Sequence, residues 1–415
     1  MSAEKIEIAR QSTLEQVLNI LETGSVFGFI EHCATLSPSE RIEYIGANKN
    51  YNPISITMGG GYSLGDWADF PWLKANKPWM VKSDGTPDYR LKETDYTKKE
   101  ADDTASDVAN TSYAGGAFAW CMKIYKKTYL AGTDRYVMFS FEKQDGFEPV
   151  GFIDTSNNEL EGVWLPMFYG SIVSSTMKSI SGVQPEYNNA TAAQKTAIDA
   201  FGSRAKFFGG PIISTLVDLM IMFAKNTDLQ TFYGKGNSSG YDASLTPTMG
   251  VKANAVVDGG QFYGTSDAKS LNKIFHSIVL GTYQQWMRDP YTICVSGKLK
   301  VSKNYVYALD ASGYTDAGID YTGLTSGTWY YPNEFRPIPG FGEAGVAPFK
   351  GSSALGGCDG LIVNPGITAV GFRFGFCHHG LNAGPRALDL AYTATIANWY
   401  FGSAILLLPP VGVAA

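Results

Sequence analysis

Residues 371–408 read GFRFGFCHHGLNAGPRALDLAYTATIANWYFGSAILLL, and two textures alternate along them. One looks fixed and structural: Gly380-Leu-Asn-Ala-Gly-Pro385, Ala387-Leu388, Leu390, Ala397-Asn-Trp399 and Gly402. The other is a scatter of unrelated chemistries: Phe376, Cys377, His378, His379, Arg386, Asp389, Ala391, Tyr392, Ile396, Tyr400 and Phe401. A packed core would not place His-His, Arg and Asp among apolar residues without partners, because burying an ionisable group is costly. Contact positions on an exposed face carry no such cost. The stretch therefore reads as a rigid frame holding loops still while the residues set into it differ. Within the frame, Asn382 and Asn398 read as bonding nearby backbone. Trp399 reads as filling the core beneath the display surface.

The frame GxxxxGLNAGPxALxLxxxxxxANWxxG resembles the C-terminal variable region of proteins diversified by diversity-generating retroelements. That resemblance implies a C-type lectin-like fold, related to the formylglycine-generating-enzyme fold. Its members serve as phage receptor-binding proteins or bacterial surface ligand binders. In the family, Asn codons of a template repeat are randomised at their adenines. Here the Asn-like slots fall on His378, His379, Asp389, Ala391, Tyr392, Ile396 and Tyr400. Such copying never yields Lys, Glu, Gln, Met or Trp, and all seven occupants belong to the allowed set. No Lys, Glu, Gln or Met occurs from Gly351 to Ala415, an absence that begins upstream of the slots. The stretches Met80–Tyr96, Asp107–Tyr113 and the run from Val163 (VWLPMFYGSIVSSTMKSISG) resemble motifs of phage tail-associated proteins, so the likeness covers most of residues 78–415. It implies a ligand-binding set of Phe374, Phe376, His378, His379, Arg386, Asp389, Ala391, Tyr392, Thr395, Ile396, Tyr400 and Phe401, in a variable region spanning 374–402.

At 415 residues, one to three domains are expected. Hydrophobic content of 44% and charged content of 17% fit a folded, low-charge chain. The net charge of −6 leaves no basic footprint, so nucleic acid is not an expected partner. The N-terminus carries Glu4 and Glu7 where a signal peptide needs an apolar run. No run of eighteen apolar residues suggests membrane insertion. The tail Ala404–Val413 reads as a final buried strand. Five widely spaced cysteines argue against a disulfide framework and for synthesis in a reducing cytosol.

In chain order, Ser12-Thr-Leu-Glu15 is a capping-box pattern. It opens a helix with Leu14, Val17, Leu18 and Leu21 on one face, ended by Gly24. That stripe packs on its own domain or docks to a scaffold or to symmetry mates. Residues 26–60 and 117–153 read as strands, among them Val26–Ile30, Met122–Tyr125 and Tyr136–Phe141. Lys98–Ser106 reads as a solvated loop. Asp154-Thr-Ser-Asn-Asn158 suggests a boundary. Beyond it, Thr191–Phe201 reads as one helix and Pro211–Lys225 as a second, with Pro211 in its first turn and an apolar stripe of Ile212, Leu216, Leu219, Met220 and Phe223. Leu271–Arg288 is ambiguous between helix and strand, and Val295–Tyr307 reads as a hairpin. The expected fold class is α+β: an N-terminal helix over 1–25, a β-rich domain over 26–154 and a C-type lectin-like domain over 155–415.

Two chemical readings compete with binding. Cys377-His378-His379 near Cys358 and Asp359 suggests a metal site, but adjacent histidines in a strand face opposite ways and no pair has zinc spacing. The same residues suggest a Cys/His nucleophile. The formylglycine-generating relatives use paired cysteines, which are not found here. The expectation is therefore no metal, no cofactor and no catalysis. The leading reading is a virion protein, made in the host cytoplasm without a signal peptide, that recognises a bacterial surface receptor, protein or glycan, alongside other virion and tail proteins. The family commonly forms homo-oligomers, trimers among them. The alternatives are a structural virion component without a receptor role, and a bacterial surface ligand binder of the same fold.

Overall fold

The computed structural model describes residues 26–240, 254–257 and 259–415. The expected helix over 1–25 lies outside the described residues. The first strand, Val26–Glu31, is antiparallel to both Ile42–Gly46 and Asp134–Ser140, and Tyr125–Ala131 completes a four-stranded sheet. Burial along Val26–Glu31 and Asp134–Ser140 does not alternate, because their two faces pack into separate apolar clusters, Phe29, Val137 and Phe139 into one and Val26 and Met138 into another. The expected strand Met122–Tyr125 is instead the break between Gly115–Met122 and Tyr125–Ala131.

A seven-stranded sheet runs in the order Ala205–Phe207, Ile405–Leu407, Gly162–Pro166, Gly115–Met122, Pro78–Lys82, Pro87–Lys92, Asp95–Lys99. It draws strands from both sides of residue 154 and takes in the apolar tail as a buried strand. The division between 26–154 and 155–415 is therefore corrected. One buried cluster also runs from Phe29 to Leu408. Asp154–Asn158 is a self-bonded turn, with the Asp154 carboxylate accepting from the backbone N–H groups of Ser156 and Asn158. Turn chemistry of that kind looks like a linker in sequence.

Strands account for 36% of the described residues and helices for 12%, so the fold is α+β with β dominant. Among the described residues the two longest helices are α1, Thr191–Phe201, and α2, Pro211–Ala224. α2 is buried almost all round rather than along one stripe, which marks a central helix. Among the described residues no helix is long and apolar enough to cross a membrane.

An eight-stranded sheet holds the terminal segment. Its central strand, Trp286–Val295, pairs with Thr368–Phe374, which pairs with Gly384–Tyr392. Leu361–Val363 lies parallel to Gly384–Tyr392, and Phe401–Gly402 lies parallel to the start of the central strand. Trp286–Val295 also forms a hairpin with Lys298–Val301, so the hairpin expected over Val295–Tyr307 lies earlier in the chain, its first strand beginning in the segment whose sequence is ambiguous between helix and strand. Leaving this sheet at Gly402, the chain crosses to the seven-stranded one, so the terminal segment stitches the two together.

Candidate binding surface

Two excursions leave the strands of the terminal segment. The first, residues 375–383, departs at Gly375 (φ +90°), where a Cβ would lie 2.6 Å from that of Ala383. Only glycine lets the two ends of the excursion approach so closely. It returns at Gly384, where a Cβ would strike the Asp359 carboxylate. Its backbone is tied down from outside. Gly240 N–H donates to Cys377 O, Gly380 N–H to Ser238 O at 2.7 Å, and Gly360 N–H to Asn382 O at 3.1 Å. The Gln230 amide reaches the carbonyls of Gly380 and Ala383. The Asn382 side chain accepts from the Tyr331 hydroxyl at 2.7 Å, a longer reach than the expected nearby backbone.

The second excursion, residues 393–400, brings its side chains against the first. Phe376 stacks on Tyr400 with centroids 4.6 Å apart and meets His379 edge-on at 4.1 Å. His379 sits between Trp286 (5.0 Å) and Trp329 (4.9 Å). Burial, with His378 alongside, pushes its pKa down to about 4. Phe376, Tyr392, Ile396, Tyr400 and Trp329 are half-buried on a floor of Trp286, Val370, Phe372, Ala387 and Phe401. His378 and Thr395 are exposed, and Ala391 is half-buried.

Four of the expected contact residues have buried side chains instead. Phe374 is fully buried and stacks with Phe208 in the main core. Phe401 is also fully buried, as part of the floor. Asp389 is 3% exposed, and its carboxylate accepts from Ala391 N–H at 2.7 Å. Burial raises its pKa to about 7. The Arg386 side chain is 3% exposed and grips Glu31 in a bidentate pair, both bonds 2.8 Å.

That pair belongs to a buried ion cluster. Glu31 also accepts from Arg41 at 2.8 Å and Arg135 at 2.9 Å, and Arg135 donates to Asp218 at 2.7 Å. Lys126 pairs with Asp218, and Glu343 with Arg135 and Arg386. Burial pushes the Glu31 carboxyl up, but Arg386, Arg41 and Arg135 outweigh it and hold the group well below the usual carboxylate range. A buried Arg needs partners, and Arg386 finds them on strands distant in sequence.

Trp399, expected in the core, is half-buried within the patch, near Phe376 (5.9 Å) and His378 (6.0 Å). Sequence reading missed Trp286 and Trp329, which lie 93 and 50 residues before His379 and carry no local pattern that joins them to it.

Among the described residues no group of three or more His, Cys, Asp or Glu could hold a metal ion. All five cysteines are buried and unpaired. Burial pushes the Cys377 thiol up to about 12, opposite to what a thiolate nucleophile needs. The chain matches no protein-family model and no curated protein.

Proposed function

We propose that this protein is a ligand-binding protein whose terminal segment, of C-type lectin type and diversified by a retroelement, presents the patch to a bacterial surface receptor from a phage tail or virion. The observation that carries this reading is the convergence of the half-buried Phe376, Tyr392, Ile396 and Tyr400 on one buried floor, with His378 and His379 alongside. Five of these six occupy slots at which the resembled family varies; Phe376 is the exception. None of the six is Lys, Arg, Asp or Glu, so the surface is aromatic and weakly charged. Such patches are marks of interaction sites, and Trp and Tyr are common anchors there. Weak single contacts gain strength when many copies are displayed together. Placement in the virion and a homo-oligomeric state follow from the resemblance, and binding proceeds without catalysis.

The coding locus tests diversification. A reverse transcriptase gene should lie beside a near-copy of the segment encoding 374–402, differing at adenines. If no such copy exists, diversification loses its support. Binding is tested on host cells with labelled protein. Phe376→Ala with Tyr400→Ala should abolish attachment, and unchanged attachment would remove the patch from the receptor contact.

A further inference from the structure

The loop Thr393–Tyr400 is held through its own carbonyl oxygens. Ala394 O accepts from the Thr191 backbone N–H at 3.0 Å and from the Thr191 hydroxyl at 2.8 Å. Ile396 O accepts from Nη2 of Arg288 at 3.0 Å. Asn398 O accepts from the Asn188 N–H at 3.1 Å, and Tyr400 O from the Trp286 N–H at 2.9 Å. Trp399 O accepts from the Gln285 side-chain amide at 3.3 Å. All these donors lie outside the loop, and none of the bonds uses a loop side chain.

Arg288 is the member that needs explaining. It is fully buried, and among the described residues no carboxylate lies within ion-pairing distance of it. Its donors go to Gln194 Oε1 at 2.6 Å, Thr191 Oγ1 at 2.8 Å, Asn189 O at 3.1 Å and Ile396 O. Its guanidinium lies 4.8 Å from the Phe372 ring centroid, on the floor of the patch. The buried Glu186 acts on the guanidinium through space and is linked to it through the Gln194 side chain, but makes no direct ion pair with it, and a buried charge held that way persists only where its donors are satisfied. Here a planar fork is spent on neutral acceptors, one of them the loop itself. Thr191 relays a second contact, accepting from Arg288 and donating to Ala394 O.

We propose that Arg288, with Thr191 and Gln285, is a positioning clamp that fixes the Thr393–Tyr400 loop whatever side chains the loop carries. The inference rests on the binding reading for its purpose, but the clamp stands or falls by itself. A lysine cannot replace it, because an ammonium lacks the fork that spans Gln194, Thr191 and Ile396.

Hydrogen exchange on the full chain, read by mass spectrometry, tests the clamp without any receptor. The triple variant Thr395→Ala, Ile396→Ala, Tyr400→Ser should leave amide exchange across 393–400 within about twofold of the parent, since it removes no anchoring bond. Arg288→Lys should speed exchange there roughly 10-fold, the scale of one lost charge-assisted hydrogen bond, while Thr368–Phe374 stays protected. Should Arg288→Lys unfold the whole chain, Thr191→Val decides, because it keeps the shape and the backbone N–H and removes only the relay. It should loosen the loop alone. The clamp is overturned if the triple variant loosens the loop as much as Arg288→Lys does. It is also overturned if neither Arg288→Lys nor Thr191→Val changes loop exchange, or if Thr191→Val loosens the sheet equally. Loss of receptor binding in the triple variant with normal exchange would leave the clamp intact; retained binding there would count against the contact reading instead.

Discussion

Arg386 and Tyr400 stand fourteen residues apart in one segment, and in sequence both look like misfits set into a fixed frame. Arg386 is buried in an ion cluster reaching back to the first strand. Tyr400 lies half-exposed on the aromatic patch. The chemistry that makes a residue look out of place in an apolar run does not tell a contact position from a buried partner. What separates them is whether the fold brings a counter-charge from elsewhere. The two regions therefore answer to different physics, and substitutions should pull them apart.

The largest effect is expected at Arg386. Replacing it with Met takes one of three guanidinium partners from Glu31 and one of two from Glu343, leaving the buried cluster one positive charge short, at a cost of about 3–5 kcal/mol in urea denaturation. Lys should recover little, because the pair with Glu31 is bidentate. A loss under about 1 kcal/mol would mean that Arg386 behaves like an exposed position after all.

Asp389 sharpens the comparison, since it is buried without a cation. Its carboxyl sits at about 7 when folded, against about 4 in an unfolded chain. Between those values the folded protein holds a proton that the unfolded chain has released. The stability this lends is full below about pH 4 and is lost as the pH rises towards about 7. Asp389→Asn should remove that slope and stabilise the protein at pH 8 by roughly 2–4 kcal/mol. Melting curves of the two proteins at pH 5 and pH 8 check this, and parallel shifts would contradict it.

Trp399 comes next. A fully buried tryptophan cut to alanine loses about 3–5 kcal/mol, so a half-buried one should lose roughly 1–2 kcal/mol. The full loss would return Trp399 to the core. The smallest effects belong to His378→Ala and Thr395→Ala, each within about 0.5 kcal/mol because both side chains are exposed.

Local pattern carried the reading of the elements it could reach. Thr191–Phe201 forms its helix with the expected bounds, Pro211 opens the next, and the apolar tail is a strand. Non-local facts were out of reach. Arg386 meets Glu31 across 355 positions, and nothing near either residue announces the other. Phe374 and Phe401 looked like anchors because aromatic residues serve cores and interfaces alike. Trp399 was misplaced for the same reason, since half-burial depends on which excursion packs against it. The boundary at Asp154–Asn158 failed because a turn rich in Asp, Asn and Ser looks the same inside a shared sheet as between two domains.

The most direct measurement is a library randomised at His378, His379, Ala391, Tyr392, Ile396 and Tyr400, sorted once for protease resistance and once for attachment to a panel of bacterial cells. If these positions form a display surface on an independent frame, most members should stay folded while attachment shifts from one cell type to another. A library in which most members lose protease resistance, or in which folded members all attach alike, would contradict the account.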